Sequence, residues 1–188
     1  MNLLTHTCCG PCLTGSIEIL KDKWVHGNIS VFWDNPNIHP YLEYRNRFMS
    51  FKKACEKLNL NAYFSNIDYE LNTFIKLIGQ DLEPDKRCEH CYQIRFNRTA
   101  EFAKKNGYNA FTTTLLVSPY QNHDLICLTG EKIAFENKLD FFHVDLKPGF
   151  ASIKEKSIEL ELYRQKYCGC IFSEYERYKN DKKYKISA

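Results

Sequence analysis

Thr5-His6-Thr7-Cys8-Cys9-Gly10-Pro11-Cys12 places three thiols within five residues. Thiols bind soft metals and carry electrons through disulfides, and three so close cannot all be core fillers. Cys88-Glu89-His90-Cys91 and Cys168-Gly169-Cys170 add two further pairs. The nine cysteines also include Cys55, on an apolar helical face, and Cys127, in mid-helix; both read as packing. The other seven (Cys8, Cys9, Cys12, Cys88, Cys91, Cys168 and Cys170) stand in turns, near Gly or Pro, or at a helix start. One tetrahedral zinc or one [4Fe–4S] cluster takes four thiolates. Three thiols remain for a second metal, a dithiol that cycles with its disulfide, or substrate contact. All-thiolate ligation suits iron and zinc alike, but structural zinc usually rides on paired knuckles of a small β-ribbon. A C-C-x-x-C run at the end of a strand favours iron–sulfur.

These thiols need elements to hold them. Asn2–Thr5 predicts a short buried strand, and Pro11 suits the first turn of a helix, so Cys8, Cys9 and Cys12 occupy a strand-to-helix turn. In an open α/β sheet such turns lie at the carboxyl edge, where ligands bind, and the helix N-terminus favours thiolate. Leu13–Lys21 carries a helical pattern, Asn28–Trp33 reads as a second strand, and Asp34–Pro40 as an ordered loop at the same edge. Tyr44, Phe48, Phe51, Cys55 and Leu58 share one face of a long helix. Asn61–Asn66 predicts a third strand, Tyr69–Ile78 a helix, and Asp81–Arg87 a loop leading to a helix whose Tyr92, Phe96, Thr99 and Ala103 face the core and which ends at Asn106-Gly107. Ala110–Val117 is the clearest strand by its β-branched content. A helix over Gln121–Asn137, a strand over Phe141–Val144 and a helix over Ile153–Leu162 follow. Arg177, Lys179, Lys182, Lys183 and Lys185 read as a flexible basic tail from about residue 177. The alternation predicts one domain over residues 1–188, built on a doubly wound parallel sheet with metal-binding loops at the carboxyl edge of its strands.

Composition narrows the function classes. At 44% hydrophobic and 26% charged the chain is globular, and its net charge of +3 permits an anionic partner without requiring one. Met1-Asn2-Leu3-Leu4 is too short and uncharged for a signal peptide, and no apolar run reaches the ~18 residues of a membrane span, so a cytoplasmic protein without a membrane partner is expected. A reducing compartment turns cysteines toward metal or redox chemistry. Neither G-x-x-x-x-G-K nor G-x-G-x-x-G follows the first strand, which argues against nucleotide hydrolysis. Three readings stay open on these grounds: an iron–sulfur enzyme, a zinc-stabilised nucleic-acid-binding module without catalysis, and a thiol-disulfide oxidoreductase working through Cys88 and Cys91.

Longer motifs add to this. They are His6-x-Cys8-Cys9-x-Pro11-Cys12, Asn35-Pro36-Asn37-Ile38-His39-Pro40, Tyr44-x-x-Arg47, Arg87-Cys88-x-x-Cys91-Tyr92-x-x-Arg95, Phe111-Thr112-Thr113-Thr114-Leu115-Leu116-x-Ser118-Pro119-Tyr120 and Tyr163-Arg164-Gln165-x-Tyr167-Cys168-Gly169-Cys170. Together they resemble the QueH-type epoxyqueuosine reductases over nearly the whole chain. The resemblance implies an adenine-nucleotide-hydrolase-like (HUP-type) α/β fold, a [4Fe–4S] cluster with a second metal ion nearby, iron or zinc, and reduction of epoxyqueuosine to queuosine at the tRNA wobble position. The family varies at the position of Cys12, where a carboxylate can stand. Expected cluster ligands are Cys8, Cys9, Cys88 and Cys91, drawn from the seven metal-binding thiols. The expected partners are tRNA carrying epoxyqueuosine and an external low-potential electron donor. Proton donors are sought among His39, His90, Tyr120 and Tyr163, and RNA contacts among Tyr44, Arg47, Arg95 and Arg164.

Overall fold

The computed structural model describes residues 1–64 and 68–184. Its sheet has five strands: β1 (Leu3–His6), β2 (Ile29–Trp33), β3 (Asn61–Phe64), β4 (Ala110–Thr113) and β5 (Asp140–Phe141). They run in the order β3-β2-β1-β4-β5, every pair parallel, as the doubly wound reading requires. Sequence order reverses at β1, which pairs β2 on one side and β4 on the other, so a crevice opens beyond the carboxyl ends of β1 and β4.

Seven α-helices cover the sheet: α1 (Gly10–Lys23), α2 (Tyr41–Lys57), α3 (Leu71–Ile78), α4 (Pro84–Lys105), α5 (His123–Asn137), α6 (Ile153–Glu159) and α7 (Ile171–Tyr178). Alternation along β2 divides the core. Val31 and Trp33 pack with Leu13 and Ile17 of α1 and with Phe51 and Ala54 of α2. Phe32 packs with Phe96 of α4 and stacks on Phe102 at 4.6 Å. Cys55 is buried in the first of these layers, and Cys127 packs partly buried against the second.

Several element limits differ from expectation for local reasons. The strand predicted over Ala110–Val117 stops at Thr113, whose hydroxyl accepts from Leu115 N at 3.2 Å and starts a 3-10 turn over Thr114–Val117. The β-branched run there reflects burial rather than extension. β5 covers only Asp140–Phe141, because His143 N turns back to Phe141 O. The expected loop over Asp81–Arg87 is shorter, since Pro84 already begins α4. α6 ends at Glu159, ahead of Glu161 at a positive φ of 51°. The third strand ends at Phe64, and Ser65 and Asn66 lie outside the described residues. α7 was not anticipated, although Ile171, Phe172, Tyr175 and Tyr178 recur along it at helical spacing; Arg177 therefore stands on a helix rather than in a tail, while Lys185 lies outside the described residues. No helix among the described residues is long and apolar enough to cross a membrane.

Candidate metal centre

The three thiols that follow β1 converge. Cys8, Cys9 and Cys12 are buried, and their sulfur atoms all lie within 4.8 Å of one another. Cys9 is the N-cap of α1, its Sγ accepting from Cys12 N at 3.3 Å, which is how one helical turn brings the thiols together. Cys8 is held from the 3-10 turn that follows β4: its N–H donates to Thr114 Oγ1 at 3.2 Å, and the Thr114 hydroxyl lies 3.6 Å from Cys8 Sγ. Hydrogen bonds from the Cys12 and Cys9 thiols hold Cys8 well below the usual thiol range. Its partners move the other way, Cys9 mainly through burial and Cys12 mainly through its bond to Cys8. Beneath them His6 is fully buried, with Nδ1 2.9 Å from Thr113 Oγ1 and Nε2 unpartnered; burial lowers its pKa to about 3.

The remaining four thiols form a second group. Cys88 and Cys91 sit in the first turns of α4, and Cys170, the N-cap of α7, packs beside Cys91, Phe74 and Ile78. Burial pushes Cys88 up to about 11 and Cys91 up to about 12. Cys168 and Cys170 are joined by Gly169 at φ 152°, a conformation that L side chains rarely adopt, with Asn37 and Arg47 within 3.4 Å of where a Cβ would stand.

Two buried guanidiniums stand among these sulfurs. Arg47 donates to Glu43 Oε1 at 2.6 Å and to the carbonyls of Cys168 and Tyr167 at 2.7 and 2.9 Å, and its charge acts on Cys9 and Cys8. Arg95, only 1% exposed, has Nε on Cys91 O at 3.0 Å and Nη2 unpartnered, and no carboxylate pairs with it among the described residues. The groups whose charged forms would offset its burial are the thiols of Cys91, Cys168 and Cys8. A buried cation without a counter-charge is costly, so this position fits a site where several of those thiols are deprotonated, as metal ligation makes them.

A cavity of about 800 Å³ opens over the triad. Buried Cys8, Cys12 and Arg47 line its depth, and exposed Cys168, Lys154, Arg164, Lys166 and Arg177 its margin. Glu176, also on its wall, is already paired with Arg87 at 2.7 Å. Of the four expected proton donors, Tyr120 alone lines this cavity. His39 is buried against Phe74 with Nδ1 3.0 Å from Tyr69 OH, and burial lowers its pKa to about 4. His90 Nε2 lies 2.8 Å from Asp81 Oδ2, and the Tyr163 hydroxyl donates to Glu43. Of the four expected RNA contacts only Arg164 reaches the margin; Tyr44, Arg47 and Arg95 are buried.

A family model described as "Epoxyqueuosine reductase QueH" matches residues 3–176. The chain belongs to the QueH family of epoxyqueuosine reductases. Relatives bearing that name in Dehalococcoides mccartyi and Thermotoga maritima are 33% and 35% identical, over 94% and 93% of this chain and 94% and 91% of their own. Another in Acinetobacter baylyi is 35% identical over 91% of this chain and 79% of its own. By family the chain is an oxidoreductase.

Within this QueH site, several residues escaped the sequence reading. Gln121 donates to Cys168 Sγ at 3.4 Å and is oriented by Tyr92, whose hydroxyl donates to its Oε1 at 2.9 Å. Gln165 donates to Cys12 Sγ at 3.6 Å. Neither amide carries a local signal. Glu43, the partner of Arg47, does: the i, i+4 spacing of opposite charges on α2 marks the pair.

Proposed function

We propose that the chain reduces the epoxide of epoxyqueuosine to the alkene of queuosine at the wobble position of tRNA, using iron–sulfur chemistry. The observation that carries this reading is Arg95, buried without a carboxylate partner among the described residues and acting electrostatically on Cys8, Cys91 and Cys168, of which Cys8 and Cys168 line a cation-rimmed cavity. Converting an epoxide to an alkene takes two electrons and two protons and releases water. When bound, a [4Fe–4S] cluster would supply the electrons one at a time, refilled by an external low-potential donor. Cys8 and Cys9 of the triad, with Cys88 and Cys91 of α4, would hold it. Cys12, Cys168 and Cys170 then remain for a second ion, iron or zinc, or for a dithiol–disulfide couple.

The chain's own residues do the rest. Lys154, Arg164, Lys166 and Arg177 draw the RNA backbone to the mouth, and one unpaired nucleoside enters the cavity. Gln121 and Gln165 hold Cys168 and Cys12 by N–H···S contacts, which keeps both sulfurs directed. Tyr120, on the cavity wall, is the proton donor we favour.

The test uses protein purified without oxygen and reduced chemically, incubated with tRNA bearing epoxyqueuosine, followed by nucleoside digestion and mass spectrometry. Loss of one oxygen atom from the modified nucleoside is expected, together with no conversion by Cys8→Ala. Unchanged epoxyqueuosine with fully loaded protein would refute the reading.

A further inference from the structure

One aromatic feature of the cavity wall includes a ring, Phe150, that the chemistry above does not use. Tyr120 is 84% exposed and meets the ring of Phe150, itself 37% exposed, edge-on at 5.8 Å and 78°. Both rings line the cavity. Phe150 closes the 3-10 turn Lys147–Phe150, and that turn is seated rigidly on α1. A Cβ at Gly149 would stand 1.8 Å from Gly15 O, and a Cβ at Gly15 would stand 2.8 Å from Gly149 O, so the two backbones touch directly. A phenylalanine left partly in water on so firm a seat is preorganised for something flat and apolar.

Charge says what kind of partner that is. The wall shared by these rings carries Lys154, Arg164, Lys166 and Arg177, while its acid Glu176 is neutralised by Arg87. Aromatic faces beside free cations are the means by which proteins hold unpaired nucleic acid, the base stacking on the ring and the phosphates meeting the cations. Resting on the reductase reading above, we infer that Phe150 with Tyr120 forms a second nucleobase subsite, which stacks a nucleotide adjoining the one that enters the cavity. The platform makes the enzyme prefer its nucleoside within an RNA loop over the free nucleoside.

The test measures Kd of the metal-loaded protein for an anticodon stem–loop carrying epoxyqueuosine, and for two versions in which one or the other neighbouring base is abasic. Phe150→Ala is expected to weaken binding of the intact loop roughly five- to a hundredfold, the range of base–aromatic stacking, and Phe150→Trp to restore it. On the loop lacking the stacked base, wild type and Phe150→Ala are expected to bind alike. Tyr120→Phe keeps the ring, so it is expected to bind as wild type even where it lowers kcat. Equal Kd for wild type and Phe150→Ala on the intact loop overturns the subsite alone, as does a Phe150→Ala loss that persists in full on both abasic loops. A wild-type protein that turns over epoxyqueuosine equally well as nucleoside and as loop also overturns it. Absence of turnover on every substrate would instead strike the reductase reading.

Discussion

Arg95→Leu separates two states of the protein by the sign of its effect. Arg95 is 1% exposed and has only Cys91 O and the Tyr92 ring, 5.6 Å away, as neutral partners. In the metal-free protein burial keeps the nearest thiol, Cys91, protonated, so the guanidinium sits in a low-dielectric interior without that counter-charge, at a desolvation cost of several kcal/mol. Replacing it with leucine then removes that cost along with one hydrogen bond, and the metal-free protein is expected to change by less than about 1 kcal/mol or to gain stability. With metal bound as proposed, Cys8 and Cys91 would be thiolates and the guanidinium their counter-charge. A charge pair about 4 Å apart at an effective dielectric near 20 contributes about 4 kcal/mol, and breaking a buried pair costs about 3–5. For a chain of this size that is a fall of roughly 6–20 °C in Tm. Thermal unfolding by circular dichroism, metal-loaded and chelator-treated, reads both. Arg47→Leu is the control: it strands the buried Glu43 carboxylate in either state, so both forms should lose stability. Equal destabilisation of both forms by Arg95→Leu would refute the assignment of Arg95 as counter-charge to thiolates.

Further outcomes follow from the same structure. Gly149→Ala should destabilise the fold by at least about 3 kcal/mol in urea titrations, since the atom met at 1.8 Å is backbone and cannot move aside; a loss below 1 kcal/mol would show that α1 and the Phe150 turn are not in direct contact. His39 has its pKa lowered to about 4 while an unfolded histidine titrates near 6.5, so the unfolded chain binds the extra proton between those values. Its contribution is full above pH 6.5 and is lost as pH falls toward 4, at up to about 1.4 kcal/mol per pH unit, and His39→Gln should flatten the stability–pH curve in that window. Affinity for tRNA should fall linearly on a log–log plot against salt, and Lys166→Ala should flatten that slope by about 0.7; a salt-independent affinity would remove the cationic margin from the account.

The parts of the site that were legible in the sequence are those set by local geometry. A strand, a cap and Pro11 force Cys8, Cys9 and Cys12 together within one turn, so the triad was visible from spacing alone. Arg95 was misjudged because arginine alone suggests surface. Yet Cys88, Cys91, Arg95 and Thr99 recur at steps of three, four and four on α4, and that shared face is the signal that places the cation among the thiols. The approach of Cys168-Gly169-Cys170 to Asn37 and Arg47 depends on contacts across more than 120 residues, through Arg47 to the Cys168 carbonyl, and no local pattern encodes it. The 3-10 turn after Thr113 was hidden because burial and strand favour the same residues there.

The proposed reduction requires that these clustered thiols hold an electron-carrying metal centre. The visible absorption spectrum, with iron, zinc and sulfide analysis, of protein purified without oxygen tests it most directly. The account predicts a brown protein with about four irons and four sulfides per chain in a cluster that bleaches on reduction, and loss of that absorbance in folded Cys8→Ala and Cys91→Ala. A colourless protein holding only zinc would contradict it.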